Sequence, residues 1–150
     1  MELIIYIDGA CRFNPGPAGI GVLVQDSEGN TKREISMAIG HATNNIAEWS
    51  AYLKALETAK EMKAKHLSVY TDSKLLEQQV RGNFKIKNEN LILLANKARS
   101  LVKFFETFQI THIPREKNTK ADKLSKQAVA SLPPNTKKKQ EKKLHTPPLF

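Results

Sequence analysis

The spacing of apolar residues changes along the chain, and each change marks an element. An apolar, β-rich run from Leu3 to Ile7 predicts a strand over Glu2–Asp8, and similar runs predict strands over Gly19–Asp26 and Thr31–Ile39. The tetrapeptide SEGN (27–30) between the second and third is good hairpin-turn chemistry. Helical spacing then takes over, since Ile46, Trp49, Leu53 and Leu56 fall on one face and predict a helix over 43–63 capped by Thr43 or Asn44. Further on, the pattern predicts a strand over 65–72 and a short helix over 73–82 stopped by Gly82. A longer helix over 89–106, a strand over 108–114 ended by Pro114, and a last helix over 118–132 capped by Asn118 complete it. The order is β-β-β-α-β-α-α-β-α. Three strands joined by tight turns form an antiparallel meander, and strands alternating with helices join as parallel neighbours. The expected fold is α/β, a five-stranded mixed sheet flanked by helices.

Composition narrows the class. With 150 residues, 40% of them hydrophobic and 26% charged, the chain reads as one soluble domain. No apolar run is long enough to span a bilayer, and Glu2 without a basic flank does not read as a signal peptide, so no membrane partner is expected. The single cysteine, Cys11, allows no intrachain disulfide and no cysteine-based zinc site, which points to a reducing, cytoplasmic compartment. A monomer is the default expectation.

The net charge of +9 suggests a polyanionic partner, nucleic acid being the usual one. Residues 133–150 hold five lysines against one glutamate and four of the seven prolines, and read as a disordered basic tail on a domain of residues 1–132. Such a tail serves either as a solvated end or as an electrostatic tether.

Four acids stand where a surface carboxylate is not expected. Asp8 closes the first strand; with Gly9 it makes a hairpin-turn dipeptide, or it is aimed at a site. Asp72 closes the fourth strand in the same manner, unless it caps the next helix. If those strands are parallel neighbours, both carboxylates leave the same sheet edge, where ligand sites of α/β sheets gather. Glu48 lies about 200° round its helix from Ser50, nearly opposite a polar stripe of Ser50, Lys54, Glu57 and Glu61, so it faces inward and needs a partner. Asp122 sits near the start of the last helix, where the helix dipole tolerates a carboxylate. Singly, these are a turn, a cap, a paired glutamate and a dipole-pairing surface residue. Together they would repel one another, and divalent cations resolve that repulsion. Hard oxygen ligands without a Cys or His cluster select Mg2+ or Mn2+ over zinc.

The stretches YIDGACRFNPGPAGIG (6–21), TNNIAEWSAYLKAL (43–56), VYTDSKLL (69–76) and HIPREKNTKADKLS (112–125) resemble ribonuclease H of type 1, in that family's order and over roughly residues 1–130. The resemblance implies the RNase H-like fold and an Asp8, Glu48, Asp72 and Asp122 site for two Mg2+ ions, with Asp8 shared between them. It implies hydrolysis of the RNA strand of an RNA–DNA hybrid to 5′-phosphate and 3′-hydroxyl products, with no small-molecule cofactor. Two metal ions suffice for that chemistry without a Ser, Cys or His nucleophile. By the same resemblance Gly9, Cys11, Asn14, Thr43, Asn44, Asn45, Ser73 and Asn118 form the substrate-binding set. Gly9 makes room for the substrate backbone, and Asn14, Asn45 and the backbone around Cys11 meet the groove where 2′-hydroxyls mark RNA. Turn and capping chemistry competes with those roles, most strongly at Thr43 and Asn44. A mobile basic residue near the last acid is also implied, with Arg115 preferred over His112, which ends a strand.

The departures are a short segment GNFKIKNEN (82–90) where relatives carry a basic, Trp-rich protrusion, and Ile46 where they carry an arginine. Alternatives on this architecture are a structure-specific nuclease or strand transferase, and a catalytically silent hybrid-binding module.

Overall fold

The computed structural model describes residues 1–132; the basic tail read at 133–150 lies outside the described residues. Five strands, β1 (Glu2–Cys11), β2 (Gly16–Asp26), β3 (Thr31–Ala42), β4 (His66–Thr71) and β5 (Thr107–His112), form one sheet in the order β3-β2-β1-β4-β5. The pairs β1–β2 and β2–β3 are antiparallel, and β1–β4 and β4–β5 are parallel, as expected. Four helices accompany them: α1 (Asn44–Glu61), α2 (Lys74–Arg81), α3 (Glu89–Val102) and α4 (Thr119–Ala130). A single 3-10 turn, Arg115–Lys117, precedes α4.

The first three strands run further than their apolar runs. The β1–β2 ladder continues through Asp8↔Gly21 to Cys11↔Ala18, although Gly9 and Ala10 are weak strand formers. Asp8 therefore lies inside a strand, and the hairpin-turn reading fails. Pairing of β1 with β4 stops at Ile7↔Thr71, so β1 loses its neighbour on that side where Asp8 begins. Helix α3 stops short of the expected residue 106, ending at Val102 before a turn that buries Phe105.

Alternation along β1 sorts the two faces. Leu3, Ile5 and Ile7 are fully buried and share with Gly9 the face covered by α1. Helix α4 packs on the opposite face at Gly21, where a Cβ would stand 2.1 Å from the carbonyl oxygen of Ala121. That glycine lets the first turn of α4 lie directly on β2, level with Asp8. The expected polar stripe of α1 is only partly one: Ser50 is buried, because α1 is enclosed by the sheet on one side and α3 on another.

Candidate active site

Asp8 and Glu48 meet through Gly9. The Gly9 N–H donates to Glu48 Oε1 at 2.6 Å and also contacts Asp8 Oδ1 at 3.0 Å. A Cβ on Gly9 would lie 2.4 Å from the Ala47 carbonyl carbon and 2.6 Å from the Glu48 nitrogen, so only glycine lets α1 approach β1 this closely. The space left by the missing side chain of Gly9 is filled by the backbone of α1. Asp72 follows the last residue of β4, and carboxylate oxygens of Asp8, Glu48 and Asp72 all lie within 4.8 Å of one another.

Asp122, the fourth expected acid, is outside that group. It sits in the first turn of α4 with Oδ2 2.9 Å from Lys126 Nζ. It is still felt by Asp8, whose pKa rises to about 7. Burial is the largest cause, a hydrogen bond with Glu48 works against it, and Asp72 and Asp122 add to the rise. Glu48 is pushed well above the ordinary carboxylate range by burial, then by the charge of Asp8. Burial alone would raise Asp122 too, but the hydrogen bonds with Lys126 and Asp8 and the charges of Lys126 and Arg115 outweigh it and lower its pKa.

Glu48 Oε2 is buried with no hydrogen-bond partner. An orphaned acidic oxygen beside two further carboxylates is a donor set short of positive charge. A hard divalent cation fits it, by oxygen ligands and by charge.

The groove beside the cluster has a volume of about 480 Å³ and is lined by Asn14, Thr43, Asn44, Asn45, Glu48, Ser73 and Leu75. Five of the residues expected to meet substrate are thus gathered on one surface. Their local chemistry explains the placement. Thr43 caps α1, accepting from the Ile46 N–H at 3.2 Å, which leaves its hydroxyl proton free to donate. Ser73 caps α2 through the Leu76 N–H at 3.1 Å, so Asp72 is released from the capping duty its position suggested. Asn14 Oδ1 accepts from the Asn44 N–H at 3.0 Å, fixing the β1–β2 loop to the start of α1.

The other expectations fare differently. Asn118 holds the N-cap position of α4 but makes no side-chain cap, and its side chain is buried, at 1% exposure. Its amide donates instead to the Ile7 carbonyl at 2.8 Å and to Asp72 Oδ2 at 3.1 Å, so it ties Asp72 to the strand that carries Asp8. Cys11 is half-buried, its thiol bonded to the Ala42 carbonyl and pushed up to about 11 by burial and then by Glu48. His112 is the last residue of β5 and pairs with Thr71 in the ladder, whereas Arg115 opens the exposed 3-10 turn and its charge reaches Asp122.

Two contributors went unseen in the sequence. Gln79 Oε1 accepts from Trp49 Nε1 at 2.8 Å and from Asn45 Nδ2 at 3.3 Å, bracing Asn45 from α2. No sequence signal marks it, because the contact joins two helices. Lys126 was visible in principle, four residues after Asp122 on the same helix.

A family described as reverse transcriptase-like matches residues 6–128. The bifunctional protein of Mycobacterium tuberculosis is 38% identical over 130 residues, covering 86% of this chain and 36% of its own length. Ribonuclease HI of Halobacterium salinarum is 38% identical over 124 residues, covering 83% of this chain and 62% of its own. The chain thus spans from about a third to under two thirds of the length of these relatives. Among solved structures, the RNase H1 of Halobacterium salinarum superposes with a TM-score of 0.85 at 36% identity, covering 88% of this chain and all of that one. An RNase H1 isolated from compost, solved in complex with an RNA/DNA hybrid, superposes with a TM-score of 0.80 at 40% identity, covering 85% of this chain and 96% of that one. The chain belongs to the ribonuclease H type 1 family and carries its RNase H-like fold.

Proposed function

We propose that the chain is an endoribonuclease that hydrolyses the RNA strand of RNA–DNA hybrids. The observation that carries this is the Asp8, Glu48 and Asp72 cluster, with its orphaned Glu48 oxygen, opening onto a groove floored by asparagines. The relative solved with a hybrid supports the substrate class. In this reading Asp8, Glu48 and Asp72 hold Mg2+, with Mn2+ as a substitute, and Asp122 adds charge from α4 to complete a site for two ions. What such ions supply when bound is a lowered pKa for water and neutralisation of charge at the phosphate. The groove residues position the duplex. Asn14, Asn44 and Asn45 read the RNA strand, and Thr43 donates its hydroxyl proton to a phosphate oxygen. Asn118 keeps Asp72 beside Asp8. Arg115 meets product phosphate by charge rather than by proton transfer. The products carry a 5′-phosphate and a 3′-hydroxyl. The working unit is residues 1–132, the protein acts as a monomer, and its lone cysteine suits a cytoplasmic setting.

The test incubates the chain and Mg2+ with an end-labelled RNA–DNA hybrid, beside single-stranded RNA, double-stranded RNA and double-stranded DNA. Internal cleavage of the hybrid's RNA strand alone, with 5′-phosphate ends and loss on adding EDTA, is expected. An intact hybrid, or equal cleavage of the other duplexes, overturns the reading.

A further inference from the structure

We infer that Phe13 is a substrate contact, an aromatic residue held in readiness to pack against sugar rings of the bound duplex; this rests on the activity proposed above. Phe13 is 68% exposed, the most exposed large apolar side chain among the described residues. It stands in the β1–β2 loop, next to the groove-lining Asn14.

An exposed phenylalanine on a loose loop would fold inward or carry no meaning. This loop is tied at three points. The Arg12 N–H donates to the Pro17 carbonyl at 2.8 Å, closing the loop on itself. The Arg12 guanidinium donates to the Val129 carbonyl at 3.0 Å, anchoring it to the end of α4. Asn14 accepts from the Asn44 N–H at 3.0 Å, anchoring it to the start of α1. Both of Phe13's neighbours are thus spent on bracing, while its ring is left outside. Ordering is paid before binding, so the contact costs little further entropy.

The occupant follows from the surroundings. Asn14, Thr43, Asn44, Asn45 and Ser73 offer hydrogen bonds along the groove, Leu75, 44% exposed, is the apolar residue of its lining, and Phe13 stands beside it, next to Asn14. A polar floor with apolar residues at its margin matches a nucleic-acid groove, whose hydroxyls and base edges are bordered by sugar rings. An aromatic face packs on the apolar side of a sugar ring whatever base that sugar carries, so the contact adds affinity without reading sequence.

The test compares the full chain with Phe13→Ala, Phe13→Trp and, as a surface control, Phe104→Ala, which removes a 60% exposed ring lying over Lys60. KM and kcat on the hybrid are measured across a salt series, with thermal unfolding of each protein. Phe13→Ala is expected to raise KM about tenfold or more, as loss of the burial of one phenylalanine ring does. Its kcat, its melting temperature and the salt dependence of KM stay as in the parent, because the ring neutralises no phosphate. Phe13→Trp restores KM, and Phe104→Ala leaves it unchanged. An unchanged KM in Phe13→Ala, an equal rise in Phe104→Ala, or a fall in melting temperature that accounts for the loss overturns the inference alone. A parent chain that cleaves no hybrid overturns the proposed activity, and this inference with it.

Discussion

At the scale of the residue, burying Asp8 beside Glu48 costs the metal-free fold stability, and the cost depends on pH. The Asp8 pKa rises from 3.8 to about 7, so between those values the folded state holds a proton that the unfolded state has released. Stability of the metal-free protein therefore falls as pH rises from about 4 to about 7, and it is divalent cation that would restore it. Asp8→Asn removes the charge while keeping an oxygen for the Gly9 N–H. At pH 8 without metal it should stabilise the fold by up to about 4 kcal/mol, the full conversion of the rise from 3.8 to about 7. Urea denaturation of both proteins at pH 5 and pH 8 checks this; a gain no larger at pH 8 than at pH 5 would show that the cluster stores no such repulsion. Gly9→Ala should act in the opposite direction. A methyl group 2.4 Å from a backbone carbon forces α1 off β1, costing roughly 3 kcal/mol or more in the same assay, with activity lost as Glu48 moves. A stable, active Gly9→Ala protein would contradict the close approach.

At the scale of the element, the site depends on three junctions: β1 against α1, the end of β4 against α2, and the start of α4 against β2. Asn118 links the second and third. Asn118→Ala removes one buried and one part-buried hydrogen bond, the second to a carboxylate, for an expected loss of about 2–3 kcal/mol. It should also weaken divalent-cation affinity, since Asp72 loses its tether; calorimetric titration with Mg2+ at fixed pH reads the second effect apart from the first. Unaltered affinity would make Asn118 a packing residue only. Element types and their order were legible in the sequence, because apolar spacing switches cleanly between strand and helix. The extension of β1 past Asp8 was not, because Gly9–Cys11 are strand only by virtue of the ladder to β2. Nor was the burial of Ser50, because helical spacing alone does not show how many neighbours enclose α1. Asn118 looked like a cap because capping is local, whereas its true partners, Ile7 and Asp72, lie far away in sequence.

At the scale of the whole molecule, the sheet brings together acids that are 40 and 64 residues apart, counting Asp8 to Glu48 and Asp8 to Asp72. That convergence could be suspected from residue types, but the unequal standing of the four acids could not, since the hold of Lys126 on Asp122 is a matter of three-dimensional placement. Charge is also distributed at this scale. Residues 133–150 carry +4 of the chain's +9. If they act as a tether, a chain ending at Leu132 should bind the hybrid more weakly and with a shallower dependence on salt, because fewer counterions are released. An unchanged slope in filter binding would assign the tail no part in binding. The most direct measurement of the central claim is single-turnover cleavage of one hybrid by the parent chain and by Asp8→Asn, Glu48→Gln and Asp72→Asn. Alongside it, hybrid binding is measured without metal. Each substitution should slow cleavage by about a thousandfold or more while metal-free binding stays within a few-fold, because the acids hold the metal and the groove holds the duplex. Cleavage near the parent rate in any of the three would contradict the assignment of that carboxylate to the catalytic centre.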